Sequence, residues 1–423
     1  MSDTTVSDHT CGPLSLDERS LPTITLGFIP LTDCAVLAVA SELGFAHRQG
    51  IVLRLSREVS WANIRDKVAF GLLDGAQMLA GMPIAATLGI NQLRMPMLAP
   101  FCLSRNGNAI TVSSGLYREM ALAGGLRGND APCVVGHALR AVIDEHRTQG
   151  RPPLTFGMVY PFSCHNYELR YWMAACGIDP DIDVRLAVIP PPLMVDSLRD
   201  GYVDGFCVGE PWNSLAVEAG LGQIIVSKAE IWRHGVEKML CVPYALAVEK
   251  PDILAALIRA LDEAAAWADD PAHRSELVEL LAMPAYLNAP AAIIERALNG
   301  AMVPARPLAA RSVPDFLVLH REGANRPPVD QALWLYSQMV RWQQSACHRG
   351  DAQLVRQIFR PDVYEAALRG GAWQAPAPGQ DWDVPESATA FDPTSSSVPH
   401  LDPGQIDIAA AVAAIAVADG ASD

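Results

Sequence analysis

Apolar residues along this chain change period several times, and each change marks a new element. Residues 23–30 form a short, nearly continuous apolar run ending in proline, the pattern of a buried strand entering a turn. Val36, Val39, Ala40 and Leu43 then recur at spacings of three and four, the stripe of a helix, with Asp33 placed to cap it. Residues 52–59 predict a second strand and Ser60 the cap of a helix over 61–72, and residues 75–79 and 97–103 predict further strands. Strands and helices in alternation predict an α/β lobe.

The same pattern resumes downstream. A helix through 138–146, a strand over 154–159, a helix over 164–176, a strand over 184–189, a helix over 192–200, a strand ending at Gly209 and a helix from Trp212 make a second lobe. Residues 241–248 read as a strand returning the chain to the first lobe, with the alanine-rich helix 251–269 packed on it. From Pro271 the pattern is mostly helical, and Asp330 is placed to cap a helix carrying Leu333, Tyr336 and Val340. The expected organisation is a disordered arm over 1–22, lobe one over 23–110 plus 241–270, lobe two over 111–240, and a C-terminal helical extension over 271–374. Residues 375–423 complete it as a Pro/Ser-rich strap and a short terminal helix.

A repeat ties the two lobes together. Gly71-Leu72-Leu73-Asp74-Gly75 runs into Ala76-Gln77-Met78-Leu79 and then Met82-Pro83, and Gly201-Tyr202-Val203-Asp204-Gly205 runs into Phe206-Cys207-Val208-Gly209 and Glu210-Pro211. Each copy reads Gly-x-x-Asp-Gly, a short apolar strand, then a proline turn. Two such units predict similar lobes facing one another, with function in the crevice at their strand ends. Gln77, Met78, Cys207 and Glu210 are placed to look into that crevice behind any ligand-contacting residues. Glu210 would repel an anion if it pointed inward, so it is expected to face the hinge or a helix terminus.

Charge narrows the partners. Lys+Arg number 32 and Asp+Glu 47, a net charge of −15, which opposes a nucleic acid or an anionic membrane held by bulk charge. An anion would need a locally positive pocket. The nine cysteines show no Cys-x-x-Cys pair, so they read as reduced thiols rather than a disulfide framework or a zinc site. Residues 1–20 contain no apolar run and no twin arginine, so no secretory signal is read there, and no stretch approaches the roughly 18 apolar residues that cross a bilayer. The reading is a cytoplasmic protein.

Four ordered motifs carry a resemblance. Ser60-Trp61-Ala62-Asn63-Ile64-Arg65-Asp66-Lys67, Asn106-Gly107-Asn108-Ala109-Ile110-Thr111, Pro161-Phe162-Ser163-Cys164-His165-Asn166-Tyr167 with Arg170-Tyr171-Trp172, and Val208-Gly209-Glu210-Pro211-Trp212 resemble the nitrate-binding protein family. That family includes the NrtA/CmpA-like solute-binding proteins and the nitrate/nitrite sensor NasS, to which the chain looks most similar. The resemblance implies an α/β, two-lobed periplasmic-binding-protein-like (type II) fold, here with the C-terminal helical extension, that closes on a small planar anion. It implies ligand contacts from Trp61, His165, Gly209 and Lys238, with Asn106 where transport members carry a glutamine. The chemistry is consistent: nitrate is monovalent and weakly basic, and Lys238 supplies a charge, Trp61 an indole N–H and a flat face, Asn106 an amide. Gly209 adds an unobstructed backbone N–H and His165 a ring N–H at a helix start.

The resemblance further implies a cytoplasmic nitrate/nitrite sensor, without enzymatic activity or cofactor. Its partner would be an ANTAR-type RNA-binding antiterminator (NasT-like), released when the anion binds to switch on nitrate assimilation genes. The alternative is the solute-binding subunit of an ABC importer for nitrate, nitrite or bicarbonate. A third class, the pyrimidine-forming enzymes of thiamine synthesis, shares the architecture but carries a cysteine-rich motif that this chain lacks.

Overall fold

The computed structural model describes residues 20–374 apart from 347 and 349; most of the expected N-terminal arm, and the strap and terminal helix of 375–423, lie outside the described residues. Ten strands build the two lobes: β1 Thr23–Phe28, β2 Val52–Arg57, β3 Gly75–Leu79, β4 Met97–Asn106, β5 Asn108–Ser113, β6 Thr155–Met158, β7 Arg185–Val188, β8 Gly205–Gly209, β9 Gly222–Ser227 and β10 Val236–Pro243. The first sheet runs β2, β1, β3, β10, β4 and ends on a two-residue strand, Leu317–Val318. The second runs β7, β6, β8, β5, β9. Parallel and antiparallel pairings match strand for strand, β1 and β6 being parallel to both neighbours and β10 and β5 antiparallel to both of theirs.

The Gly-x-x-Asp-Gly repeat is a conserved piece of geometry within the molecule. Asp74 Oδ2 accepts from Thr25 N at 2.8 Å while Asp74 N donates to Thr25 O at 3.0 Å. Asp204 does the same to Thr155, at 2.8 Å both ways. Each aspartate thus clips the turn to the first strand of its own lobe. Gly71 and Gly201 adopt φ of 70° and 73°, a left-handed conformation that glycine enters without a Cβ clash. Gly75 and Gly205 open strands so closely packed that a Cβ would lie 2.6 Å from Cys241 O at the first and 2.9 Å from Thr111 O at the second.

The chain changes lobes twice, each time giving a sheet its antiparallel strand. Asn106 (φ 61°) and Gly107 (φ 90°) turn β4 of the first sheet into β5 of the second, and the short helix Lys228–Ile231 leads from β9 back to β10. Both crossings come earlier than the 110/111 and 240/241 boundaries read from sequence. The return strand expected over 241–248 is β10, and Tyr244–Glu249 is helical. Glu237 and Lys238 explain the difference, since two adjacent charges in the buried part of the strand interrupt the apolar run by which a strand is recognised.

Other elements follow their local signals. Ser60 caps the helix Trp61–Ala69, its Oγ accepting from Asn63 N at 3.2 Å, and the helix stops short of 72 at the Gly71 turn. Pro251 starts the helix Pro251–Asp269, where its missing N–H is no loss. Asp330 lies in the first turn of the helix Val329–Arg341 behind Pro328 and makes no cap. Asp33 is no cap either. It lies within the turn Thr32–Cys34, and its carboxylate is held by Lys238 and Gln77.

One continuous apolar core joins the lobes and the extension. It contains Trp61, Met78 and Met82 from the first lobe, Phe156, Tyr167 and Val208 from the second, and Trp334, Tyr336 and Met339 from the helix Val329–Arg341. That helix braces the lobes from behind. Gln331 Oε1 accepts from Val236 N at 2.7 Å, Trp334 packs edge-on against Trp232 with ring centroids 4.7 Å apart, and Gln344 beyond the helix accepts from the Tyr167 hydroxyl at 2.6 Å. Among the described residues no helix is long and apolar enough to cross a membrane.

Candidate functional site

Strand pairing sets the site. In the first sheet Lys238 of β10 stands opposite Leu79, the last residue of β3; in the second, Asn108 of β5 stands opposite Gly209, the last residue of β8. Lys238 and Asn108 therefore occupy equivalent places on the two crossing strands. Both converge on one carboxylate, Glu237, with Lys238 Nζ 2.8 Å from Oε1 and Asn108 Nδ2 2.6 Å from Oε2. Lys228 Nζ also lies 2.8 Å from Glu237 Oε2, and His165 Nδ1 lies 3.1 Å from Oε1, close but not aligned as a hydrogen bond.

A second carboxylate meets Lys238 from the first lobe. Asp33 Oδ2 is 2.9 Å from Nζ, and its Oδ1 accepts from Gln77 Nε2 at 2.7 Å, while Gln77 Oε1 accepts from Ile29 N at 3.2 Å. On the other side Lys228 Nζ approaches Glu168 Oε1 at 2.7 Å. The chain has four lysines, Lys67, Lys228, Lys238 and Lys250, so half of them lie in this water-excluded cluster.

Two sequence-derived donors border the cluster. Trp61, the first residue of its helix, is fully buried with its ring centroid 5.6 Å from Lys238 Nζ, and its indole Nε1 makes no hydrogen bond. His165 lies in the first turn of the helix Cys164–Ala175, capped by Ser163, whose Oγ accepts from Asn166 N at 3.0 Å. Its Nε2 likewise makes no hydrogen bond. Gly209 is packed so that a Cβ would stand 3.4 Å from Asn108 Oδ1 and from Leu31, ordinary contact distance for the fold.

Asn106 is placed differently. Its Nδ2 donates to Asp315 O at 2.8 Å and to Arg233 O, and its N–H donates to Gly235 O at 3.0 Å, so its amide hydrogens hold the lobe crossing. The amide that reaches the cluster belongs to Asn108, two residues on. Of the supporting residues, Gln77 orients Asp33, and the Cys207 thiol is pushed well above its ordinary pKa by burial, with Glu168 and Glu237 adding to the effect. Met78 belongs to the apolar core and pairs with Met239. Glu210 meets the start of the helix Trp212–Glu218, where its carboxylate accepts from Ser214 N at 3.1 Å and Ser214 Oγ at 3.0 Å. Its carbonyl accepts from Thr32 N across the lobes at 2.8 Å.

Electrostatics follow from burial and pairing. Burial opposes the charge of Lys238, but Asp33 and Glu237 outweigh it and raise the pKa, so the ammonium stays charged. Lys228 is raised for the same reason by Glu168 and Glu237. Glu237 would be raised by burial, yet the ammonium groups of Lys228 and Lys238 beside it hold it below the usual carboxylate range. Burial dominates at His165, whose pKa falls to about 3, and at Glu168, lifted to about 8 against the pull of Lys228. At neutral pH the imidazole is uncharged, with one ring nitrogen a donor and the other an acceptor.

Sequence reading missed Asp33 as a partner of Lys238, and missed Asn108, Glu168, Lys228 and Glu237 altogether. The available signal was charge inside apolar segments, clearest for Glu237 beside Lys238.

Comparison with known proteins agrees with the topology. The profile of the NMT1-like family matches residues 17–282. The nitrate import ATP-binding protein NrtC of Synechocystis sp. is 38% identical over 352 residues, covering 83% of this chain and 50% of NrtC. The nitrate/nitrite binding protein NrtA of Synechococcus elongatus is 30% identical over 397 residues, covering 91% of this chain and 85% of that protein. The chain spans about half the length of the ATP-binding relatives it matches. The crystal structure of the periplasmic nitrate-binding protein NrtA from Synechocystis PCC 6803 superposes with a TM-score of 0.75 at 24% identity, covering 89% of this chain and 96% of that one. The matching profile, the NrtA relative and the shared two-lobed α/β fold lead to one conclusion: this chain belongs to the NMT1-like family and, within it, is related to the nitrate- and bicarbonate-binding proteins of NrtA type.

Proposed function

We propose that this protein is a cytoplasmic sensor that binds nitrate or nitrite between its lobes and, on binding, releases an ANTAR-type RNA-binding antiterminator to switch on nitrate assimilation genes. The observation that carries the anion reading is a pair of buried rings on opposite lobes without hydrogen-bond partners: the Trp61 indole N–H near the Lys238 ammonium, and the neutral His165 imidazole, which donates from the one ring nitrogen that carries its proton. A small anion supplies what such donors lack, and charge-assisted hydrogen bonds contribute about 1.5–3 kcal/mol each. NrtA, named for nitrate and nitrite, is the relative that supports this ligand class. A reducing compartment is supported by Cys34, Cys102, Cys133, Cys164, Cys176, Cys207 and Cys241, which are free thiols.

Release of a partner requires that the anion favour one lobe arrangement and the partner another, and the coupling is then reciprocal. Two measurements test the proposal. Calorimetric titration with nitrate, nitrite, bicarbonate and chloride should give micromolar binding for one of the nitrogen oxyanions. A purified antiterminator should comigrate with the empty protein on a sizing column and separate when the anion is added. A complex that ignores the anion, or none at micromolar concentration, rejects the sensor.

The second reading is a binding component of an ABC importer for nitrate, nitrite or bicarbonate. It is favoured by the higher identity to NrtC, named a nitrate import ATP-binding protein, than to NrtA. Anion binding together with stable association to importer subunits, and none to an antiterminator, would select it.

A further inference from the structure

The buried cluster holds an uneven set of charges. Two lysines, Lys228 and Lys238, face three carboxyl groups, Asp33, Glu168 and Glu237, and none of the five side chains has appreciable exposure. His165 beside them is neutral, as are the thiols of Cys164 and Cys207, which burial keeps protonated. With every carboxyl ionised the cluster carries one net negative charge before a ligand arrives. A monovalent anion would bring a second, and an uncompensated charge in a site closed to water is far costlier than one at the surface.

The three carboxyl groups are not equally held. Glu237 is surrounded by Lys228, Lys238, Asn108 and His165. Asp33 has Lys238 and the Gln77 amide. Glu168 has only Lys228 at 2.7 Å, and neither of its oxygens makes a well-aligned hydrogen bond. The other charged or titratable groups facing it are Glu237 and Lys238 of β10, Cys164 of its own helix and Cys207 of β8. Of the three, Glu168 is therefore the group whose ionised form is least supported.

Resting on the anion-binding reading above, we infer that the cluster accepts its anion together with a proton, carried on the Glu168 carboxyl. The proton passes from solvent to a Glu168 oxygen, forming one O–H bond, and no bond of the anion changes. Glu168 then keeps the Lys228 contact as a neutral acid, and the cluster with its anion holds the single negative charge that the ionised cluster held alone. Burial already lifts Glu168 to about 8 in the free protein. Below pH 7 the proton is in place and affinity is flat. Above pH 8 each bound anion must bring a proton, and the apparent Kd rises toward roughly tenfold per pH unit.

The test is calorimetry of the full chain with nitrate, which does not titrate in this range, and with nitrite, from pH 6.5 to 9. A pair of buffers of unlike ionisation heat at each pH gives the proton stoichiometry. The expected result is little uptake at pH 6.5, approaching one proton per anion at pH 9, and loss of both the uptake and the pH slope in Glu168→Gln. A purely structural Glu168 would alter stability but leave the slope. Binding without uptake across the range overturns the inference, and a Glu168→Gln protein that retains the slope overturns the assignment to Glu168. If that variant does not fold, the wild-type stoichiometry decides. No binding of either anion at any pH rejects the anion reading itself, an outcome distinct from binding without protons.

Discussion

The two lobes are built on the same turn and the same strand order, yet they meet the crevice with different chemistry. Asp74 and Asp204 clip their turns to Thr25 and Thr155 with almost identical bonds, and β3 and β8 leave those turns in the same register. At the far ends of these strands the likeness stops. Leu79 corresponds to Gly209, Lys238 to Asn108, and Ala80 to Glu210. The repeat preserves what folds each lobe, while the equivalent positions on the crossing strands have diverged, Lys238 giving the wall of the first lobe a cation and Asn108 giving that of the second a neutral donor. Glu237 makes the asymmetry workable, since it holds both Lys238 and Asn108.

The largest expected effect lies at that pair. Lys238→Ala should abolish anion binding and destabilise the protein by about 3–5 kcal/mol, because Asp33 and Glu237 would be left buried without their cation. Asn108→Ala, which removes one neutral donor from a charged acceptor, should lose about 1.5–3 kcal/mol. Urea unfolding of both variants measures the difference, and equal losses would break the claim of unlike walls.

Glu210 against Ala80 provides a pH-dependent contrast. Burial raises the Glu210 pKa from 4.5 to about 7, so the folded state favours the protonated form. Its stabilising contribution is complete below pH 4.5 and is lost as the pH rises toward 7, by up to about 3 kcal/mol. Glu210→Gln should flatten that part of the stability profile in denaturant melts at pH 4.5, 6 and 7.5. An unchanged slope would remove Glu210 as a source of pH sensitivity in the second lobe.

Strand beginnings and ends should also separate. Gly75→Ala meets Cys241 O at 2.6 Å and Val242 at 2.8 Å and should lose about 1–3 kcal/mol through overpacking, whereas Gly209→Ala finds ordinary contacts and should fold nearly as well. In the same samples Gly209→Ala should bind anion more weakly, a loss that Gly75→Ala should not share beyond its instability. The smallest effect is a matched one. Asp74→Ala and Asp204→Ala should each reduce stability by about 1 kcal/mol through the lost backbone bond, and clearly unequal losses would mean that the two clips are not equivalent.

Elements with local punctuation were legible in the sequence. β3 begins at a Gly-x-x-Asp-Gly turn, the helix Pro251–Asp269 begins at a proline, and Ser60 caps its helix, each a signal contained within a few residues. The chemistry of the cluster was less so, because it depends on contacts between distant segments. Asp33 has the residue type and position of a helix cap, and only the proximity of Lys238, more than two hundred residues away, gives its carboxylate another use. Asn106 and Asn108 have the same side chain two residues apart, and only the crossing geometry decides that one holds backbone carbonyls and the other Glu237. Lys228 and Glu168 look like solvated surface charges until the fold buries them together with Glu237.

The sparing use of lysine has a practical consequence. Lys67 is partly exposed and Lys250 exposed, whereas Lys228 and Lys238 are sealed between the lobes. An amine-directed reagent would therefore mark the first two promptly and the second two only when the lobes part, with the outer pair as an internal standard. The chain carries its own footprint of cleft opening, readable by mass spectrometry without an introduced label, and the braced helix Val329–Arg341 predicts that this mark accumulates slowly.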